Sequence, residues 1–153
     1  MSDFRLKYGQ IAPLGLEKLR ALEHFVNADS ELEHILLELV KVRASQLNGC
    51  ESCIRVHTAE LRKAGESEER IAGIAEWRNS EAYTRRERAA LSWTEVVTNI
   101  QDGHAPDAVY EEVRAVFSEV ETVNLTLGIA TINAWNRMAI ALGSRPSGSG
   151  TKG

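Results

Sequence analysis

"SQLNGCESCIRVHTAE", Ser45 to Glu60, holds both cysteines of a 153-residue chain and one of its four histidines. Upstream of it, Leu32, Ile35, Leu36, Leu39 and Val42 recur at helical spacing. Downstream, Cys50, Cys53, His57, Leu61 and Ala64 form one stripe at the same period. Asn48-Gly49 separates the two patterns, and a glycine there can take the left-handed conformation that ends a helix. A β-hairpin would need alternating flanks instead, and there are none. The stretch therefore reads as helix, tight turn, helix. The second helix begins at or just before Cys50 and runs to Ala64-Gly65, with the CxxC pair in its first turn.

The same reading extends in both directions. Leu16, Leu19, Leu22 and Val26 mark a helix after "APLG", and Ser30 with Glu33 forms a possible capping box for the next one. Ser67 reads as the N-cap of a short helix carrying Ile71, Ile74 and Trp77 inward. Thr84 to Glu87 is a capping-box signature opening a helix with Ala90, Trp93, Val97 and Ile100 on one face. Pro106 suits the first turn of a helix bearing Val109, Val113 and Phe117. Ser118 to Glu121 is a further capping box, and its helix runs to about Leu142. That last helix is apolar on several sides, so a second subunit or a central place in the core must cover it. The fold class is all-α. Residues 1–143 form one helical domain, and 144–153, "SRPSGSGTKG", read as a flexible tail.

Composition narrows the function. A chain this long buries roughly 70% of its surface and needs neither disulfide nor metal to fold. The net charge is −4 and basic residues are scattered, which argues against nucleic acid. The apolar stretch Leu125 to Leu142 is interrupted by Asn133, Asn136 and Arg137, so it is not a membrane span. No apolar leader follows Met1, and the expected compartment is the cytoplasm. A CxxC pair there is more often catalytic or metal-binding than a permanent staple.

Cys50, Cys53 and His57 stand at i, i+3 and i+7. A helix N-terminus and a nearby imidazolium both favour thiolate over thiol. A free thiol is only about 3% thiolate at pH 7, and lowering its pKa by roughly two units raises that some 25-fold. A staple would close too small a loop to stabilise much. Zinc would need ligands from His24, His34 or His104, which belong to separate elements. A redox-active dithiol is the leading reading, beside the alternatives of two inert buried thiols and of a Cys2His2 site assembled from distant histidines. Trp77, Trp93 and Trp135 read as core residues, and His104 as a loop residue. Asn133, Asn136 and Arg137 read as structural or interfacial hydrogen-bonding groups.

"RASQLNGCESCIRVHTAELRKAGE" resembles the alkylhydroperoxidase D-like (AhpD-like) group of the carboxymuconolactone decarboxylase superfamily. "EWRNSEAYTRRERAALSWTEVVTN" and "FSEVETVNLTLGIATINAWNRMAIA" are similar to its short single-domain members, so the likeness runs from about Tyr8 to Leu142. Redox members carry a glutamate twelve residues before a C-x-x-C-x-x-x-H motif, and Glu38 stands there. By pattern alone Glu38 belongs to a polar stripe with Glu31, His34, Lys41 and Ser45, which reads as a solvated face. The resemblance places it beside the dithiol instead.

The resemblance implies an all-α fold whose core hairpin bears the CxxC pair, and homo-oligomers, commonly trimers or hexamers. It implies a thiol-dependent peroxidase acting on a small hydroperoxide, with an external dithiol as reductant and no cofactor or metal. The implied catalytic set is Cys50, Cys53, His57 and Glu38. A non-catalytic redox sensor or disulfide-exchange module is the alternative. The family's decarboxylase branch lacks the cysteine pair. Peroxidase-type members often carry a histidine directly before the second cysteine, where this chain has Ser52.

Overall fold

The computed structural model describes residues 4–143; the expected tail at 144–153 lies outside them. Among the described residues the regular elements are all helical. They are α1 (Tyr8–Ile11), α2 (Pro13–His24), α3 (His34–Asn48), α4 (Glu51–Lys63), α5 (Glu68–Ala72), α6 (Arg85–Thr98), α7 (Asp107–Val116) and α8 (Glu119–Leu142). A π-helical turn, Phe25–Asp29, extends α2, and a 3₁₀ segment, Ile74–Asn79, follows α5. No single helix among them is long and apolar enough to cross a membrane.

Helix α3 is the centre, and α4, α6 and α8 pack around it. Leu37, Val42 and Ala44 have no exposed surface at all. One side of α3 joins Val26, Trp93, Val113, Phe117, Leu125 and Ile129 in the larger apolar core. The other side joins Leu61, Ile71, Ile74, Trp77, Tyr83 and Leu91.

Local chemistry sets the boundaries. Thr84 and Ser118 each form a reciprocal capping box, with Glu87 and Glu121. Ser67 caps α5 by accepting the Arg70 N–H. Gly49 ends α3 at φ +72°, and the Cys50 N–H turns back to the Ser45 carbonyl at 2.9 Å. This is the helix-terminating geometry in which a left-handed residue lets the chain reverse.

Five expectations need correction. Ile74 and Trp77 fall in the 3₁₀ segment beyond the end of α5, and Pro106 is the N-cap of α7, one position before its first turn. Ser30 does not cap α3, because Glu31 takes φ +63° and breaks the chain there. The Ser30 hydroxyl instead donates to the Val26 carbonyl at 2.5 Å, closing the π-turn, and α3 starts three residues later. Cys50 sits at the N-cap of α4, one position before the first turn. Ile100 falls beyond the end of α6 and is 47% exposed, so it does not share the buried face of Ala90 and Trp93.

Candidate active site

The α3–α4 reversal brings the CxxC pair against α3. Cys50 and Cys53 are joined as a disulfide, with Cα atoms 5.3 Å apart. Cys50 is at the N-cap of α4 and Cys53 three residues on, so both lie where backbone N–H groups lack helical partners. Both sulfur-bearing residues are buried, as is His57 one turn after Cys53. Ser52 places its hydroxyl 3.6 Å from the Cys50 sulfur.

Glu38 is buried, not solvated. Its Oε2 accepts from His57 Nδ1 at 2.7 Å across the interface of α3 and α4. Its Oε1 accepts from the Lys41 ammonium at 2.8 Å. Lys41 also donates to Asn27 Oδ1 at 2.6 Å. Burial pushes the Glu38 carboxyl up, but the His57 hydrogen bond and the Lys41 charge outweigh it and hold it below the ordinary glutamate value. The carboxylate is therefore ionised at neutral pH. It fixes Nδ1 of His57 as a donor and leaves Nε2 as the nitrogen able to take a proton.

A second polar network braces the turn from α8. Asn136 donates to the Ser45 hydroxyl at 3.0 Å. Asn48 donates to the side-chain carbonyls of Asn133 and Asn136, each at 2.9 Å. Asn133 donates in turn to the Thr98 hydroxyl at 3.0 Å. The buried Asn136 and the half-buried Asn48 and Asn133 thus satisfy one another and hold the residues just before Cys50.

The structure therefore brings Cys50, Cys53, His57 and Glu38 to one place. Of the polar stripe expected on α3, Glu31 and His34 stay exposed, while Glu38, Lys41 and Ser45 turn inward. Lys41 and Asn27 were missed as members of the site. The i, i+3, i+7 spacing of Glu38, Lys41 and Ser45 was a visible signal, but Asn27 carried none. His104 lies in an exposed loop, and Trp77 and Trp93 are core residues, while Trp135 is half-buried. No group of three or more His, Cys, Asp or Glu side chains among the described residues could hold a metal ion.

Residues 13–96 match the carboxymuconolactone decarboxylase family model. The Bacillus subtilis protein YdfG, itself uncharacterized, is 40% identical over 141 residues, covering 92% of this chain and 95% of its own. ATU0492 of Agrobacterium tumefaciens is a protein of unknown function proposed as an antioxidant-defence AhpD. It superposes with a TM-score of 0.87 at 42% identity, covering 91% of this chain and 94% of that one. The debrominase Bmp8, at 19% identity, has a TM-score of 0.76 over 92% of this chain and 74% of its own, a likeness of fold alone. Family model, full-length relatives and the all-helical frame around a CxxC pair agree: the chain belongs to the carboxymuconolactone decarboxylase family, within its AhpD-like group.

Proposed function

We propose that this protein is a thiol-dependent, peroxidase-like oxidoreductase that reduces alkyl hydroperoxides. The observation that carries the reading is the buried Glu38–His57 pair, 2.7 Å apart, in which His57 shares its face of α4 with Cys53. In the reduced protein His57 Nε2 takes the Cys53 proton. The thiolate attacks the terminal peroxide oxygen, an S–O bond forms and the O–O bond breaks. The departing alkoxide receives the proton from His57 and leaves as alcohol, and Cys53 is now a sulfenic acid. The Cys50 sulfur then attacks Cys53, and hydroxide leaves and combines with the Cys50 proton as water. The peroxide gains two electrons and the dithiol becomes the disulfide. An external dithiol restores both thiols by exchange and ends as its own disulfide.

Cys53 is assigned as nucleophile because His57 stands one turn from it, and Cys50 as the resolving thiol. The relation to ATU0492 supports antioxidant chemistry. The cycle needs a supply of reduced dithiol, which suits the cytoplasm. The exposed apolar residues of α8, Val120 and Val123, support a homo-oligomer, a trimer or hexamer, as the working form.

Ser52 favours a second reading. With a serine where peroxidase-type relatives carry histidine, the relay has one fewer proton carrier, and the fold could serve disulfide exchange or redox sensing. Steady-state peroxide consumption with several dithiol reductants separates the two. Multiple turnovers support the peroxidase. Disulfide formation from small oxidised dithiols, with no peroxide consumed, would replace it by the exchange reading.

A further inference from the structure

We infer that Lys41 is a positioning residue of the dithiol site, holding the Glu38 carboxylate in the charge state and orientation that His57 requires. The inference rests on reading Glu38 and His57 as the relay of the dithiol.

Lys41 is only 4% exposed. A buried ammonium is costly unless it is paired and hydrogen-bonded, and Lys41 is both. The two oxygens of Glu38 are divided between its partners, Oε1 to Lys41 and Oε2 to His57. Turning the carboxylate would break both bonds, so Lys41 fixes the oxygen that orients the imidazole. Asn27 fixes Lys41 in turn, from the π-turn that Ser30 closes. The charges of Glu38 and Lys41 sum to zero, so the pair is neutral without a proton from His57. Remove the ammonium and the buried carboxylate loses one of the two partners that favour its ionised form.

Titratable groups face Lys41 from more than one element. Glu38 is on its own helix, His57 faces from α4, and Glu23 of α2 lines the same small cavity. Helix α8 contributes Thr131 and Trp135 there, neither of which titrates near neutrality. On α6, Glu95 is taken by Arg43 at 2.9 Å and Arg86 by Glu33 at 2.7 Å.

The test uses the full-length reduced protein and the variants Lys41→Gln, Lys41→Arg and Asn27→Ala. Two titrations are read: the carboxyl ¹³C shift of Glu38, and the rate of cysteine alkylation by iodoacetamide against pH. In Lys41→Gln both midpoints should move up by about one unit, roughly a tenfold loss of rate at a fixed pH below the midpoint. Lys41→Arg, which keeps the cation, should restore most of both. Asn27→Ala, at an exposed position, should shift both in the same direction by less. A folded Lys41→Gln variant with both midpoints at their wild-type values overturns the inference. If that variant does not fold, unchanged midpoints in Asn27→Ala overturn it. Neither readout needs peroxide. Shifted midpoints in a protein that consumes no peroxide would leave Lys41 its role and remove the peroxidase, and unshifted midpoints in an active peroxidase would do the reverse.

Discussion

Helices α3 and α8 invert each other. Helix α3 carries a polar stripe, and the part of it formed by Glu38, Lys41 and Ser45 is buried to 4% exposure or less. Helix α8 is the more apolar in sequence, yet Val120 and Val123 are 66% and 59% exposed. Its inner stripe, Leu125, Ile129, Ile132 and Asn136, is fully packed. Burying an ion costs several kcal/mol unless its partners are in place, so the polar side of α3 exists only because Glu38, Lys41 and His57 complete one another. Leaving a valine in water forgoes roughly 1.5–3 kcal/mol of burial, so the outer side of α8 invites a covering surface. Helix α3 thus buries charge where burial is costly, and α8 exposes apolar side chains where exposure is costly.

The largest effect should come where the α3 stripe delivers its chemistry. Cys53→Ser is expected to abolish peroxide turnover and to leave no trappable sulfenic acid at Cys50. Cys50→Ser should react once, giving a sulfenic acid at Cys53 that dimedone captures, with no second turnover. Trapping at Cys50 in the Cys53→Ser variant would exchange the two roles. It would also remove the reason for pairing His57 with Cys53.

On α8 the comparison is sharpened by making the outer face polar. The double substitution Val120→Glu and Val123→Glu should leave the fold intact, because neither side chain belongs to the core. It should reduce the mass seen by light scattering from a multiple of the chain to a single chain. A wild-type protein that is already monomeric would break the comparison, since α8 would then carry exposed valines without a partner surface.

How far each helix was legible follows from the same contrast. Helix limits were written in short-range chemistry. Thr84–Glu87, Ser118–Glu121, Ser67 and Gly49 act within three or four residues, and each terminates or starts a helix as its sequence indicates. Burial is a long-range property. Periodicity shows that Glu38, Lys41 and Ser45 share a face, but not that α4 and the π-turn cover it. Glu38 was reached through resemblance to a family, and Asn27, fourteen residues before Lys41, through the structure alone. Glu31 misled for a related reason: it takes a left-handed backbone between the buried Ser30 and Leu32, and nothing in its side chain announces it.

Replacing Glu38 by Gln tests α3 more gently. The reaction of the reduced protein with peroxide should slow by about 10–100-fold, the range expected for losing an orienting or proton-accepting group. The same substitution has a stability signature. The Glu38 carboxyl lies below its ordinary value in the folded protein, so it stabilises the fold above that value and ceases to as pH falls through the folded one. In the variant this contribution is missing at every pH. The gap in urea midpoint between wild type and Glu38→Gln should therefore be widest near neutrality. It should narrow as pH drops below roughly 4.3, where an unfolded glutamate becomes protonated. A gap that stays constant down to pH 3 would mean that the ionised form of Glu38 is not what the fold uses.

The smallest effect returns to how the two helices begin. Helix α8 starts with a complete capping box, the Ser118 hydroxyl accepting the Glu121 N–H at 3.1 Å and Glu121 accepting the Ser118 N–H at 3.2 Å. The N-cap residue of helix α3, Glu33, makes no side-chain cap hydrogen bond at all. The half-exposed α8 depends on its own first turn, whereas α3 is held by what packs around it. Ser118→Ala should then lower the unfolding free energy by about 1 kcal/mol, the usual cost of a lost cap. Glu33→Ala should lower it by about 0.5 kcal/mol or less, because it removes only an ion pair to Arg86 in which Glu33 is 54% exposed. Urea denaturation of both variants decides the point. Equal losses would show that α3 relies on its first turn as α8 does, and that burial alone does not hold the helix that carries Glu38.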